Sequence, residues 1–200
     1  MEPIRFPQPT ANRFERNLLR AKVLKLIKER SFFQEKIMLA SGVESDFYFD
    51  MKPTMFSPDG AAALGDIILD RLSAMDVDYV GGLAMGAVPL VTSVSMRSHE
   101  TNRPLPGFFV RQEIKDHGTK KLIEGLAPGE SLKGKRVVIL DDVTTTGGSA
   151  MRAVDAARNA GAAVILVLSV VDRKEGATAR YARENIPFDA LFTADDFLNS

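Results

Sequence analysis

The sequence contains no cysteine, which excludes disulfides, thiolate metal sites and thiol nucleophiles. It carries no net charge, because 26 Lys and Arg residues balance 26 Asp and Glu residues, so no overall basic field attracts nucleic acid. It has no apolar run of about 18 residues, and the amino terminus lacks the apolar segment of a signal peptide. These absences predict a cytoplasmic protein that neither spans a membrane nor binds nucleic acid.

The 200 residues suffice for one domain with a full core. Apolar, strand-like runs alternate with segments of helical periodicity, which predicts an α/β fold with a three-layer parallel sheet and right-handed crossovers. The predicted strands cover 79–82, 107–111, 135–140, 163–171 and 189–192. Ahead of this sheet, a predicted helix at 13–29 with Asn12 as its cap and two short β-like runs, 36–40 and 46–51, form a hairpin-like appendage.

The most informative segment is VVILDDVTTTGGS, residues 137–149. Its first four residues predict a strand buried on both faces, and helical spacing begins at Ala150. A turn between a strand's carboxyl end and a helix's amino end is where open α/β sheets bind ligands, and the free N–H groups there favour phosphate. Asp141 and Asp142 would repel phosphate alone but suit hydroxyls or a divalent cation. The segment therefore predicts a ligand such as a phosphorylated ribose.

An ordinary capped turn is the alternative interpretation of this segment. A cap needs one side-chain oxygen, whereas the segment offers several hydroxyls and two glycines: Thr144, Thr145, Thr146, Ser149, Gly147 and Gly148. The Walker pattern GxxxxGK[ST] is absent, and no GxGxxG follows a strand. Sites for nucleoside triphosphates and dinucleotides therefore lose their sequence support.

The connection between the strands ending near 111 and starting near 135 exceeds twenty residues. A connection longer than about 12–15 residues is usually a functional lid or disordered. Cationic and hydrogen-bonding groups lie along it at Arg111, Lys115, His117, Lys120 and Lys121. Such a lid could close over a polyanion and exclude water. A solvated surface loop explains the same charges equally well.

Three other features have two interpretations each. The glycine-rich turn at 81–89 could bring backbone amides to a pyrophosphate or allow close helix packing. Arg173 emerges at a strand's carboxyl end, where it could bind a substrate carboxylate or pair with Asp172 or Glu175 at the surface. Tyr48 and Phe49 could face a flat ligand or belong to the core.

Together, the segment 137–149, the lid sequence VRQEIKDHGTKKLIEG, the hairpin sequence SGVESDFYFD and Arg173 in SVVDRKEG resemble the type I phosphoribosyltransferases, and within that family its orotate-using members. The resemblance implies a single domain over 1–200, with a small N-terminal hood of roughly 1–55 plus a C-terminal contribution and a core of roughly 56–190. It implies Mg²⁺-dependent transfer of the phosphoribosyl group from phosphoribosyl pyrophosphate (PRPP) to orotate, giving orotidine 5′-phosphate and pyrophosphate in pyrimidine biosynthesis.

The resemblance also implies roles for individual residues. The catalytic set is Lys115, His117, Asp141 and Asp142, of which the two acids hold the ribose hydroxyls. The remaining PRPP-binding residues are Arg111 and Gln112 in the lid and Val143, Thr144, Thr145, Thr146, Gly147, Gly148 and Ser149 around the 5-phosphate. The orotate-binding residues are Tyr48, Phe49, Thr145 and Arg173, with Arg173 at the carboxylate. No residue is expected to ligate Mg²⁺ directly, because the ion is held through PRPP and water.

In the family, the lid from Arg111 to His117 reaches the site of the partner subunit, so the resemblance implies a homodimer. Gln112, Ala40 and Gly86 stand where some relatives carry basic residues, and Lys52, Lys120 or Lys121 could compensate. Two rival functions share the segment 137–149. A purine or uracil phosphoribosyltransferase would not need the lid or Arg173, and a regulator that binds PRPP without turnover would normally carry a basic or DNA-reading surface.

Overall fold

The structure, a computed structural model, describes residues 12–38, 44–101, 103–113 and 122–198. Helix α1 covers Arg13–Arg30 and begins with a capping box: the Asn12 side chain accepts from the Glu15 N–H at 3.0 Å, and the Glu15 carboxylate accepts from the Asn12 N–H at 2.8 Å. Val23, Leu26 and Ile27 are its buried residues. The predicted helix and its cap are confirmed.

Two small antiparallel sheets follow α1. Strand β1 (Phe32–Phe33) pairs with β4 (Tyr48–Phe49), and β2 (Ile37–Met38) pairs with β3 (Glu44–Ser45). The predicted hairpin is confirmed as the pair of β2 and β3, but the run at 46–51 is not its second strand: β4, which lies in that run, pairs with β1. The reason is aromatic packing: the Phe32 ring lies 5.1 Å from Phe49 and 5.6 Å from Phe197, which ties β4 to β1.

The remaining strands are β5 (Tyr79–Leu83), β6 (Gly107–Val110), β7 (Ile123–Glu124), β8 (Arg136–Thr144), β9 (Ala163–Asp172) and β10 (Phe188–Thr193). The remaining helices are α2 (Lys52–Met55), α3 (Pro58–Leu72), α4 (Val88–Ser98), α5 (Gly148–Asn159), α6 (Ala177–Arg183) and α7 (Asp195–Leu198). No described helix is both long and apolar enough to cross a membrane.

Strands β5 to β10 form one sheet in the order β10-β9-β8-β5-β6-β7. All neighbours pair in parallel except the short edge strand β7, which is antiparallel to β6 and was not predicted. On β8, Val138 and Leu140 pack into the core that includes α1, α3 and α4, whereas Val137 and Ile139 pack into the core of α5 and α6. The three-layer parallel sheet is confirmed.

The strand order creates a crevice beside the carboxyl end of β8. From β5 the chain moves to β6 on one side, and from β8 it moves to β9 and β10 on the other. Neighbouring strands whose connections leave in opposite directions form a topological switch point, where open α/β sheets bind ligands. The turns after β5 and β8 therefore meet at the expected position of a ligand.

Candidate active site

The two adjacent acids lie on β8 itself. The expectation that this strand ends at Leu140 is wrong, because Asp141, Val143 and Thr144 remain paired with β9. Since successive side chains of a strand point to opposite faces, Asp141 and Asp142 occupy different environments. The sequence alone suggests two equivalent carboxylates, and the strand makes them unequal.

Asp141 is 7% exposed and faces the α5 and α6 layer. Burial raises the pKa of its carboxyl to about 7, the hydrogen bond from Thr144 Oγ1 at 2.7 Å lowers it, and the charge of Asp142 raises it. Burial therefore favours the protonated form of the Asp141 carboxyl. A cation or hydroxyl donors that reach this carboxylate would favour its ionised form.

Asp142 faces the turn that follows β5. Burial raises its pKa, hydrogen bonding from the backbone lowers it, and among nearby charges Lys52 lowers it while Asp50 raises it. A Cβ atom on Gly86 would lie 2.8 Å from Asp142 Oδ1, closer than side chains tolerate. Glycine at position 86 thus leaves room for the Asp142 carboxylate.

The turn after β8 is the part of the site where the sequence predicts phosphate binding. Gly147 has a φ of 78°, and a Cβ there would lie 2.8 Å from the Tyr181 ring, so this position requires glycine. Tyr181 is fully buried beneath the turn and donates to the Gly147 carbonyl at 3.4 Å. Among the described residues, no side chain caps α5. The capped-turn interpretation therefore fails, and the first N–H groups of α5 have no intrahelical acceptor.

Thr145 and Thr146 belong to this turn, and Ser149 lies in the first turn of α5; Thr146 and Ser149 are exposed. Thr144 is instead buried, with its hydroxyl committed to Asp141. Val143 is half-buried and packs against the core of α1, α3 and α4. The structure brings the sequence-predicted phosphate residues together, with Thr144 supporting the turn from below.

Arg173 lies at the other end of the site, directly after β9. Its side chain is 3% exposed and forms an ion pair from Nε to Glu175 Oε1 at 2.7 Å. Nη2 donates to Ser45 Oγ at 3.0 Å, and the guanidinium carbon lies 4.6 Å from the centre of the Phe47 ring. The alternative interpretation, a surface ion pair with Asp172 or Glu175, is correct in naming Glu175 as the partner. It is wrong about the surface, because the Arg173 side chain is buried.

Tyr48 and Phe49 point in different directions. Phe49 packs against Phe197 with ring centres 5.0 Å apart and is part of the core, whereas Tyr48 stacks on Phe33 at 4.8 Å. Burial and a hydrogen bond to Glu35 raise the pKa of Tyr48. Sequence reasoning missed Phe47, the aromatic residue that contacts Arg173. The alternation in FYF places residues 47 and 49 on one face and was the available signal.

Only the base of the predicted lid is described. Arg111 Nη1 lies 3.3 Å from Glu124 Oε1 on β7, and Gln112 is exposed, with its carbonyl accepting from Arg152. Lys115, His117, Lys120 and Lys121 lie outside the described residues, as does Ala40. Lys52 pairs with Asp50 at 2.7 Å. The roles predicted for the lid stay predictions.

Comparison with known proteins identifies the family. The model of the phosphoribosyl transferase domain matches residues 58–190. The orotate phosphoribosyltransferase of Rhodopseudomonas palustris (strain BisB5) is 53% identical over 180 residues, which is 90% of this chain and 96% of the relative. That of Sorangium cellulosum is 41% identical over 183 residues, covering 90% of this chain and 93% of the relative.

A solved structure agrees with these relatives. The orotate phosphoribosyltransferase of Mycobacterium tuberculosis, crystallised with PRPP, superposes with a TM-score of 0.73 at 31% identity, covering 90% of this chain and 98% of that chain. Sequence and fold therefore point to the same group of proteins. The chain belongs to the orotate phosphoribosyltransferase family.

Proposed function

We propose that this protein transfers the 5-phosphoribosyl group from PRPP to N1 of orotate, giving orotidine 5′-phosphate and pyrophosphate for pyrimidine biosynthesis in the cytoplasm. The bond from the anomeric carbon to pyrophosphate breaks, the bond to N1 forms, and the N1 proton is released to solvent. The observation that carries the proposal is that one site contains both the amino end of α5, which no described side chain caps, and the nearly buried Arg173. The two features match a phosphoribosyl donor and a carboxylate-bearing base.

At the donor end, the turn of Thr145, Thr146 and Gly147 and the amino end of α5 bind the 5-phosphate through backbone N–H groups and hydroxyls. Asp142 accepts a hydrogen bond from a ribose hydroxyl. Asp141 accepts a second such hydrogen bond once its carboxyl is ionised. No covalent intermediate is required, because a transition state of oxocarbenium character needs positioned partners and stabilised leaving-group charge. The chain therefore contributes binding, orientation and charge.

The fit of Mg²⁺ follows from the carboxylates at the crevice. Among the described residues, no cluster of three His, Cys, Asp or Glu side chains could hold a metal ion. Mg²⁺ usually keeps several waters and binds substrate phosphates, so in this proposal PRPP and water would hold the ion beside Asp142, with no direct ligand from the chain. When bound, the ion neutralises charge on the departing pyrophosphate.

The lid completes the site in this proposal. Lys115 and His117 contact the pyrophosphate, and Arg111 supplies a further cation from the base of the lid, with Gln112 as a neutral donor. The catalytic unit is a homodimer in which the lid of one protomer closes over the site of its partner. A closed lid excludes water and so strengthens each charge interaction with pyrophosphate.

The test is pyrophosphate release by the purified protein with PRPP, measured with and without Mg²⁺. Orotate should support release, whereas adenine, hypoxanthine and uracil should not. Release with a purine or with uracil instead of orotate would replace this function by that of another phosphoribosyltransferase. PRPP binding without release for any base would favour a regulator.

A further inference from the structure

The guanidinium of Arg173 is fixed by three residues that come from two distant parts of the chain. Glu175 lies two residues after it on the loop before α6, whereas Ser45 and Phe47 lie in and beside β3, and Ser45 is 128 positions away in the chain. The side chain of Arg173 is 3% exposed. A group so nearly buried adopts the orientation that its neighbours impose.

The contacts use part of the hydrogen-bonding capacity of Arg173 and leave the rest. A guanidinium has five N–H donors in a planar fork. Among the described residues, Nε donates to Glu175 and one Nη2 hydrogen donates to Ser45, and these contacts leave both hydrogens of Nη1 and the second hydrogen of Nη2. These remaining donors are enough for a bidentate contact with a carboxylate.

Phe47 fixes the plane of the fork. Its ring centre lies 4.6 Å from the guanidinium carbon, within the range of a cation–π contact. Phe47 is held in turn by Phe49 at 6.0 Å and Phe32 at 6.1 Å. The aromatic cluster of the hood therefore supports the arginine from one face.

We propose that Glu175 and Phe47, assisted by Ser45, are positioning residues that hold Arg173 with its free N–H groups presented to the carboxylate of the acceptor base. This inference rests on the proposed function. It assigns the specificity for a carboxylated base to an assembly that joins the hood to the loop after β9. The orientation of Arg173, as well as its charge, then determines how well orotate binds.

Two pairs of variants separate orientation from charge. Glu175→Ala removes the acceptor for Nε, whereas Glu175→Gln keeps an amide oxygen that can accept from Nε but removes the negative charge. Phe47→Leu removes the ring, whereas Phe47→Tyr keeps it. Asp195→Asn is the matched control, because it breaks the neighbouring exposed Lys174–Asp195 pair of 2.6 Å, which lies outside this assembly. Thermal unfolding of each variant checks that it is folded.

The readout is the KM for orotate and the KM for PRPP, measured separately. We expect Glu175→Ala and Phe47→Leu to raise the KM for orotate about tenfold, as for loss of a hydrogen bond to a charged group, with the KM for PRPP changed less than about twofold. Glu175→Gln and Phe47→Tyr should stay within about threefold of wild type for both substrates, as should Asp195→Asn.

Three results would overturn the proposal. Glu175→Ala and Glu175→Gln could both lower the KM for orotate, which would make Glu175 a competitor for Arg173. Both KM values could rise together, which would indicate a general structural role, or neither could change. Failure of the proposed function is distinguishable, because wild-type protein would then release no pyrophosphate with orotate at all. If one variant does not fold, the conservative variant at the same position and the two variants at the other position still decide the outcome.

Discussion

In the proposed function the site has two ends, a phosphate end that binds the 5-phosphate and a base end that binds orotate. These two ends are built in different ways. The phosphate end is a single strand–turn–helix unit, in which Asp141 through Ser149 follow one another along the chain. At the base end, Arg173 contacts Ser45 and Phe47, and Ser45 lies 128 positions away from it in the chain. A local unit keeps its geometry whenever its strand and helix form, whereas the base end depends on the docking of the hood. We therefore expect changes at the two ends to affect different substrates.

The largest effect should come from Gly147 at the phosphate end. In Gly147→Ala, a methyl group meets the Tyr181 ring at 2.8 Å and the backbone keeps a φ of 78°. The displaced turn should reduce kcat/KM for PRPP at least a hundredfold, comparable to the loss of a positioned donor at a reacting group. Steady-state kinetics with varied PRPP measure this.

Gly134→Ala is the matched control for this change. Gly134 has a φ of 72° but no atom within 4 Å of an added Cβ, so it imposes a similar backbone cost of about 1 kcal/mol without a clash at the site. Its kinetics should resemble those of wild type. An equal fall in kcat/KM for PRPP in both variants would mean that general destabilisation of the protein causes the effect. That result would contradict a special role of the turn.

The second prediction concerns Asp142 and the lid together. Asp142→Asn should impair PRPP use, and Lys115→Ala should lower turnover far more than it weakens orotate binding. If the lid acts on the partner's site, mixing the two variants restores complete sites in mixed dimers. Activity should recover to roughly a quarter of wild type, since half of random pairs are mixed and each holds one complete site.

The control for this mixing experiment is each variant mixed with itself. No recovery after confirmed subunit exchange would place the lid over its own subunit's site. An unchanged turnover of Lys115→Ala alone would remove the lid from the mechanism.

The third prediction is a pH dependence from Asp141. Burial raises its pKa to about 7 in the folded protein from the ordinary value of 3.8, so its contribution to stability is fully present below about pH 4 and is lost as the pH rises through 7. Asp141→Asn should therefore gain stability relative to wild type between pH 5 and pH 8, on the order of 1 to 3 kcal/mol. Urea unfolding at both pH values measures the difference, and a pH-independent difference would contradict a raised pKa.

The same contrast explains what the sequence could predict. The strand of Val137 to Leu140, the turn and the helix after it are encoded by neighbouring residues, so periodicity and composition sufficed to predict this strand–turn–helix order and the parallel sheet. The continuation of β8 through Thr144 was missed because pairing with β9 overrides the polar character of Asp141 and Asp142. That the two carboxylates differ in environment follows only once β8 is known to continue through them, because successive side chains of a strand point to opposite faces.

The base end was harder to predict for a physical reason. Arg173 was identifiable from its place after a strand, but its contacts with Ser45 and Phe47 depend on how the hood docks. The pairing of β4 with β1 instead of the run at 36–40 follows from aromatic packing with Phe197, a residue near the other end of the chain. Contacts of such long range leave no signal in a local pattern.

The central claim is that the base end selects a carboxylated acceptor through Arg173, and it is tested most directly by comparing orotate with uracil. The two bases differ by the carboxylate, so pyrophosphate release should be measured with each for wild type and for Arg173→Met, at saturating PRPP. We predict that wild type releases pyrophosphate much faster with orotate than with uracil. In Arg173→Met, the ratio of the two rates should fall at least about tenfold. A preference that is unchanged in Arg173→Met would contradict the account.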